Sequence, residues 1–257
     1  PRRVARRWVK TLEELFNSAI NGLIAAAFTS LGGVLALVGI RRSMRLVDTS
    51  LGFSAGVMLY VAFVELLKPS ADTVGPHFLA GFLLGVLAVH AVDRLIPHDH
   101  MVGEVVLDGF GSRVRASLLL AMAVVIHNLP EGLAIGSATT VERSLGIRVT
   151  LAIGIQDIPE GLAVALPFIA VGRRGLALLF AVASGLSEAA MALLPPLLGG
   201  LAPQLLPHLL SLSAGAMIYV VSHEVIPETH NHGYEREATV GLLAGVVLAP
   251  LLETLIT

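Results

Sequence analysis

Eight apolar stretches follow one another along the chain, at 17–40, 47–67, 75–96, 116–138, 147–171, 174–200, 204–226 and 236–256. Each is close to the ~20 residues an α-helix needs to cross the hydrocarbon core of a bilayer. Their connections are short, so residues 1–257 are expected to form a single transmembrane domain, all-α and polytopic, with eight transmembrane helices. Residues 1–16 read as a basic N-terminal tail carrying Arg2, Arg3, Arg6, Arg7 and Lys10, and the start at Pro1 fits a truncated segment. Only 14% of residues are charged, against about 25% in soluble domains. The chain has no Cys, which excludes disulfides, thiolate metal sites and cysteine nucleophiles.

Basic residues in the loops give an orientation. With both termini outside, the inner connections hold Arg41, Arg42, Arg45, Arg94, Arg113, Arg115, Arg173, Arg174 and Arg236, and the outer ones only Lys68, Arg143 and Arg148. The loops therefore favour N- and C-termini outside, against the vote of the basic tail. Short loops without long His-rich insertions point to a prokaryotic cell (plasma or inner) membrane.

Two duplications organise the interior. Ser54–Glu65 in the second stretch matches Ser213–Glu224 in the seventh without a gap, sharing Ser, Ala, Gly, Met, Tyr, Val and the terminal Glu. Stretches five apart cross a membrane in opposite directions, so the segments are inverted repeats, a plan that transporters use around a midplane binding site. The count becomes 3+2+3, with the fourth and fifth stretches central. These carry the second duplication, His127-Asn128-Leu129-Pro130-Glu131-Gly132 against Gln156-Asp157-Ile158-Pro159-Glu160-Gly161. In each motif the first polar residue and the Glu are four apart and share a helix face. Each Pro frees the carbonyl four residues back, Ile126 or Ile155, and each Gly permits a close helix approach.

Acids at this depth are costly unless paired. Glu131, Asp157 and Glu160, with Glu188 in the sixth stretch, have no Lys or Arg at their level. Two divalent cations would balance the four carboxylates; one would leave two to be protonated. Carboxylates, imidazole and amide oxygens together suit zinc, cadmium, manganese or iron(II) rather than copper(I). At the expected inner ends, His90 and Asp93 share a face ahead of His98 and His100, and His223 and Glu224 precede Glu228, His230 and His232. They form a candidate exit relay or sensor. Glu65, the repeat partner of Glu224, would lie at the outer mouth, where it could recruit cations.

These residues resemble the ZIP (Zrt/Irt-like) family of divalent-metal transporters, in particular its bacterial broad-specificity members. The resemblance rests on the paired central motifs, Glu188 and the Ser222–His230 segment, and covers nearly the whole chain. It implies that His127, Glu131, Gln156 and Glu160 bind one metal, with Met58 as a soft ligand. It further implies that Asn128, Glu131, Asp157, Glu160 and Glu188 bind a second, with Glu131 and Glu160 bridging. The expected cargo is Zn2+ or Cd2+, and Fe2+ or Mn2+ besides, carried into the cytosol by an elevator-like or alternating-access motion. Gln156 stands where many eukaryotic members have His, which leaves strict zinc selectivity open. The expected partners are metal ions and the lipid bilayer, with a homodimer among the assemblies of the family, and no nucleic acid. A metal-dependent hydrolase is the competing class; the chain lacks a His-Glu-x-x-His motif and is expected not to be an enzyme. A proton- or sodium-coupled carrier of another solute, and a receptor or structural membrane protein, are further alternatives.

Overall fold

The computed structural model describes residues 2–39, 43–95 and 110–256. Every regular element among them is helical. α1 (Arg2–Leu37) joins the basic tail to the first apolar stretch without a break. α2 (Met44–Tyr60) passes through a wider π turn (Val61–Leu67) into the short α3 (Lys68–Val74). Gly75, with φ at +56°, adopts a left-handed conformation that glycine accepts at no steric cost, and there the chain turns into α4 (Phe78–Leu95). α5 (Phe110–Val141) and α6 (Arg143–Ala170) follow as the central pair. The stretch expected at 174–200 is two helices, α7 (Arg174–Met191) and α8 (Leu194–Leu201). Pro195 and Pro196 lack the N–H groups that would extend the α7 ladder. The seventh stretch holds α9 (Leu206–Val220), a second π turn (Val221–Val225) and α10 (Ile226–Thr229); α11 (Glu235–Ile256) closes the order.

Six segments are long and apolar enough to cross a membrane: Arg7–Leu37, Met44–Arg94, Ser117–Val141, Arg143–Ala170, Arg174–Leu201 and Pro203–Thr229. As one helix, Met44–Arg94 would be about 76 Å long, more than twice a ~30 Å hydrocarbon core. The turn at Gly75 divides it in two. The chain is thus a polytopic helical membrane protein, and its side chains are distributed accordingly. Leu79, Leu83 and Leu87 of α4, and Val240, Leu243, Val247 and Leu251 of α11, are exposed on single faces, while the central acids are buried. Water would favour the opposite arrangement.

The helices pack in two groups. α1, α5, α6 and α7 lie against one another; α2 lies on α11 and α4 on α9. The groups meet where α2 touches α6 and α5 touches α9. Close backbone approaches give the directions. Gly81 faces His208 and Gly85 faces Leu212, so α4 and α9 are parallel. Gly52 faces Ala238 and Gly56 faces Leu242, so α2 and α11 are parallel too. In α1, Phe28 faces Gly154 and Gly32 faces Ile158, parallel to α6, whereas Gly22 faces Ala189 and Gly33 faces Ala181, antiparallel to α7.

The duplicated segments share one irregularity. Both run as α-helix and then widen into a π turn, at Val61 and at Val221, and both turns end two residues before a proline, Pro69 or Pro227. A proline ring crowds the carbonyl four residues back, here that of Glu65 or His223. The backbone bonds upstream then reach one residue further, as π turns do, commonly at functional sites.

Candidate metal centre

The helical repeat puts His127, Asn128 and Glu131 on one face of α5, and Gln156, Asp157 and Glu160 on one face of α6. α7 adds Glu188. All seven are buried, His127 at 7% exposure and Glu160 at 4%, the others fully. Pro130 and Pro159 lie inside α5 and α6. The motif glycines do permit close approach, but onto the neighbouring helices rather than between α5 and α6. Gly132 lies against the Glu188 carbonyl of α7, and Gly161 against the Thr29 carbonyl of α1.

Donor atoms converge in two groups, His127–Glu131–Glu160 and Glu131–Asp157–Glu188, with the ligand-type atoms within each no more than 4.8 Å apart. Only Glu131 is common to both. Gln156 Nε2 donates to Glu131 Oε1, which leaves the Gln156 carbonyl oxygen unpartnered. Ser54 Oγ donates to Glu160 Oε1 at 2.5 Å. His127 Nε2, both polar atoms of Asn128, Glu131 Oε2, both oxygens of Asp157, Glu160 Oε2 and both oxygens of Glu188 are buried without a hydrogen-bond partner. Among the described residues, no Lys or Arg forms an ion pair with any of the four acids. A buried carboxylate is tolerable only when paired, protonated or bound to a metal. Lone pairs of O and N type gathered at this spacing can hold one or two divalent cations.

Met58 is fully buried and lies one turn beyond Ser54 on the same face of α2, the face that meets Glu160. Ser54 was not singled out from sequence, although it opens the duplicated segment. The relay residues come together on the side of the α4–α5 connection. His127 Nδ1 lies 3.5 Å from Glu224 Oε2, and His223 Nε2 lies 3.4 Å from Asp93 Oδ2. Tyr219, a matched position of the repeat that sequence reasoning also passed over, joins this group. Its hydroxyl is 2.8 Å from His90 Nδ1 and 3.5 Å from Asp93 Oδ2. His98 and His100 fall outside the described residues. His230 Nδ1 is 2.8 Å from the Ile226 carbonyl oxygen, and His232 Nδ1 is 3.0 Å from the buried Asp48, so neither joins the relay. Glu65 is buried rather than open to solution, and pairs with Arg148 Nε at 3.3 Å. Arg148, counted from sequence among the outer loops, lies within α6.

Fold and site together define a multi-pass helical membrane protein with an acid-rich cluster of metal-ligand groups buried between its central helices. Residues 97–253 match the family described as ZIP Zinc transporter, and the chain belongs to that family. It is 44% identical over 251 residues to "Zinc transporter ZIPB" of Bordetella bronchiseptica, covering 92% of this chain and 80% of that one. "Zinc transporter GufA" of Myxococcus xanthus is 38% identical over 91% of this chain and 96% of its own length. "Zinc transporter ZupT" of Corynebacterium efficiens is 37% identical over 88% of this chain and 92% of its own.

Proposed function

We propose that this protein carries Zn2+ and related divalent cations (Cd2+, with Fe2+ or Mn2+) across the cell membrane into the cytosol by alternating access, and is not an enzyme. The relatives named above are described as zinc transporters. The observation that carries the reading is the pair of convergent ligand groups joined at Glu131, whose orphaned oxygens call for cations and not for hydrogen bonds. His127, Glu131, Glu160 and Gln156 hold one metal, with Met58 as a soft ligand from α2. Glu131, Asp157, Glu188 and Asn128 hold the second, with Glu160 close by. Glu224, His223, Asp93 and His90 then take the ion toward the α4–α5 side, the cytosolic side in the orientation set by the loop arginines.

The path crosses eight helices in a 3+2+3 plan when α2 is counted with α3, α7 with α8 and α9 with α10. In that count, α4 and α9, α2 and α11, and α1 and α6 are an even number of crossings apart, and each pair is parallel. α1 and α7 are five apart and antiparallel. The whole chain is one transport unit, with the seven central ligands on the group of α1, α5, α6 and α7, and Ser54, Met58 and Glu224 on the other. Motion of one group against the other exposes the centre to alternate faces. A homodimer is compatible with this plan.

Uptake of Zn2+ into proteoliposomes tests the reading. Wild-type protein is expected to load vesicles, and Glu131→Ala and Glu160→Ala to abolish loading; full uptake by both variants would refute it.

A further inference from the structure

Glu65 and Glu224 hold equivalent positions in the duplicated segments, and each lies within a π turn. Each also reaches a central helix of the other group. Glu224 faces His127 on α5, and Glu65 faces Arg148 on α6. The central duplication matches His127 to Gln156, yet Arg148 stands eight residues before Gln156, about 12 Å along the helix. One repeat glutamate therefore touches the metal centre while its twin is held some two turns away by an arginine. Side-chain exposure follows the same asymmetry. Glu65 and Arg148 are 5% and 19% exposed, Glu224 25% and His223 53%. The protein is shut at the Arg148 side and open at the other.

In a carrier built from inverted repeats, the halves exchange conformations between the two open states, and both states belong to one equilibrium. Exchange maps the contact between Glu224 and His127 onto one between Glu65 and Gln156. Building on the alternating-access reading above, we propose that Glu65 is a metal-site carboxylate of the opposite half-cycle. It leaves Arg148, comes beside Gln156, and offers an oxygen to the divalent cation arriving from the α5–α6 side. Arg148 is a positioning residue. In the present state its guanidinium neutralises a carboxylate that would otherwise be buried without a counter-ion, and so keeps the mouth closed. Glu65 thus exchanges one cation, an arginine, for another, the cargo.

The absence of Cys permits a clean test in native membranes. The pair Glu65→Cys/Gln156→Cys is expected to crosslink with a short thiol reagent, although those positions are remote in the present state. In a Gln156→Cys background, Arg148→Gln should raise labelling by an impermeant thiol reagent from the α5–α6 face several-fold, and Arg148→Lys should restore the low value. Glu65→Gln alone should raise KM for Zn2+ uptake several-fold and leave kcat within twofold, the pattern of a lost binding contact. Labelling that ignores Arg148→Gln would overturn the proposal. So would failure of the first pair to crosslink while a control pair, His127→Cys/Glu224→Cys, does. Wild-type protein that takes up no metal would instead overturn the transport reading on which the proposal rests.

Discussion

Replacing Glu131 by Gln should weaken both metal sites at once, because it is the one residue common to both ligand groups. A cation equidistant from three atoms 4.8 Å apart lies about 2.8 Å from each. Small side-chain adjustments close this to the 2.0–2.2 Å of zinc–oxygen bonds. At 2.8 Å and an effective dielectric constant near 20, a divalent cation and one carboxylate attract by about 12 kcal/mol. The amide escapes much of the desolvation that the carboxylate suffers, so the net loss falls to about 3–5 kcal/mol, as for other buried charge pairs deprived of one partner. That is a hundredfold to a few thousandfold in affinity. Titration calorimetry of Zn2+ into purified protein reads it directly. Wild type should bind two ions. Glu131→Gln should weaken both events, Glu188→Gln only one, and His127→Ala only the other. Two undiminished events in Glu131→Gln would refute the shared-ligand geometry. So would loss of both events in Glu188→Gln.

Three further outcomes follow from particular contacts. Gly132→Ala sets a methyl group against the Glu188 carbonyl, so α7 must give way. The expected cost is about 1–3 kcal/mol, measurable as a lowered Tm, with Zn2+ uptake falling in parallel. Gln156→His supplies an imidazole where an amide stands, which favours zinc over manganese; competition binding should show their affinity ratio shifting toward zinc by about tenfold. Asp93→Asn breaks the contact with His223 beyond the centre, so stopped-flow uptake should give a reduced kcat while equilibrium Zn2+ affinity stays near wild type.

Much of the centre was legible before any coordinates. Two motifs at four-residue spacing fix which side chains share a face, and the scarcity of bases leaves their charge to be balanced from outside. The repeat likewise located Glu224 beside the path. Other features left no such trace. Hydropathy cannot divide the helices into two groups, because in lipid the outward faces are apolar as well. A π turn is a one-residue shift in backbone bonding and does not alter composition; only Pro69 and Pro227 hinted at it. Arg148 read as a loop cation and Glu65 as an outer-mouth acid because their pairing joins residues 83 apart in sequence. Ser54 and Tyr219 were in view as repeat matches, but their partners depend on which helices touch.

All seven central ligands ride on the helices of one group. A pocket that travels whole presents nearly the same coordination to either face, so its intrinsic affinity changes little between loading and unloading. What differs comes from the stationary side: Ser54 and Met58, and Glu224 at the open mouth. With so little asymmetry, the machine has no preferred direction of its own. Net flux is then set by the concentration difference of free metal, and by whatever captures the ion once it has left Asp93 and His223.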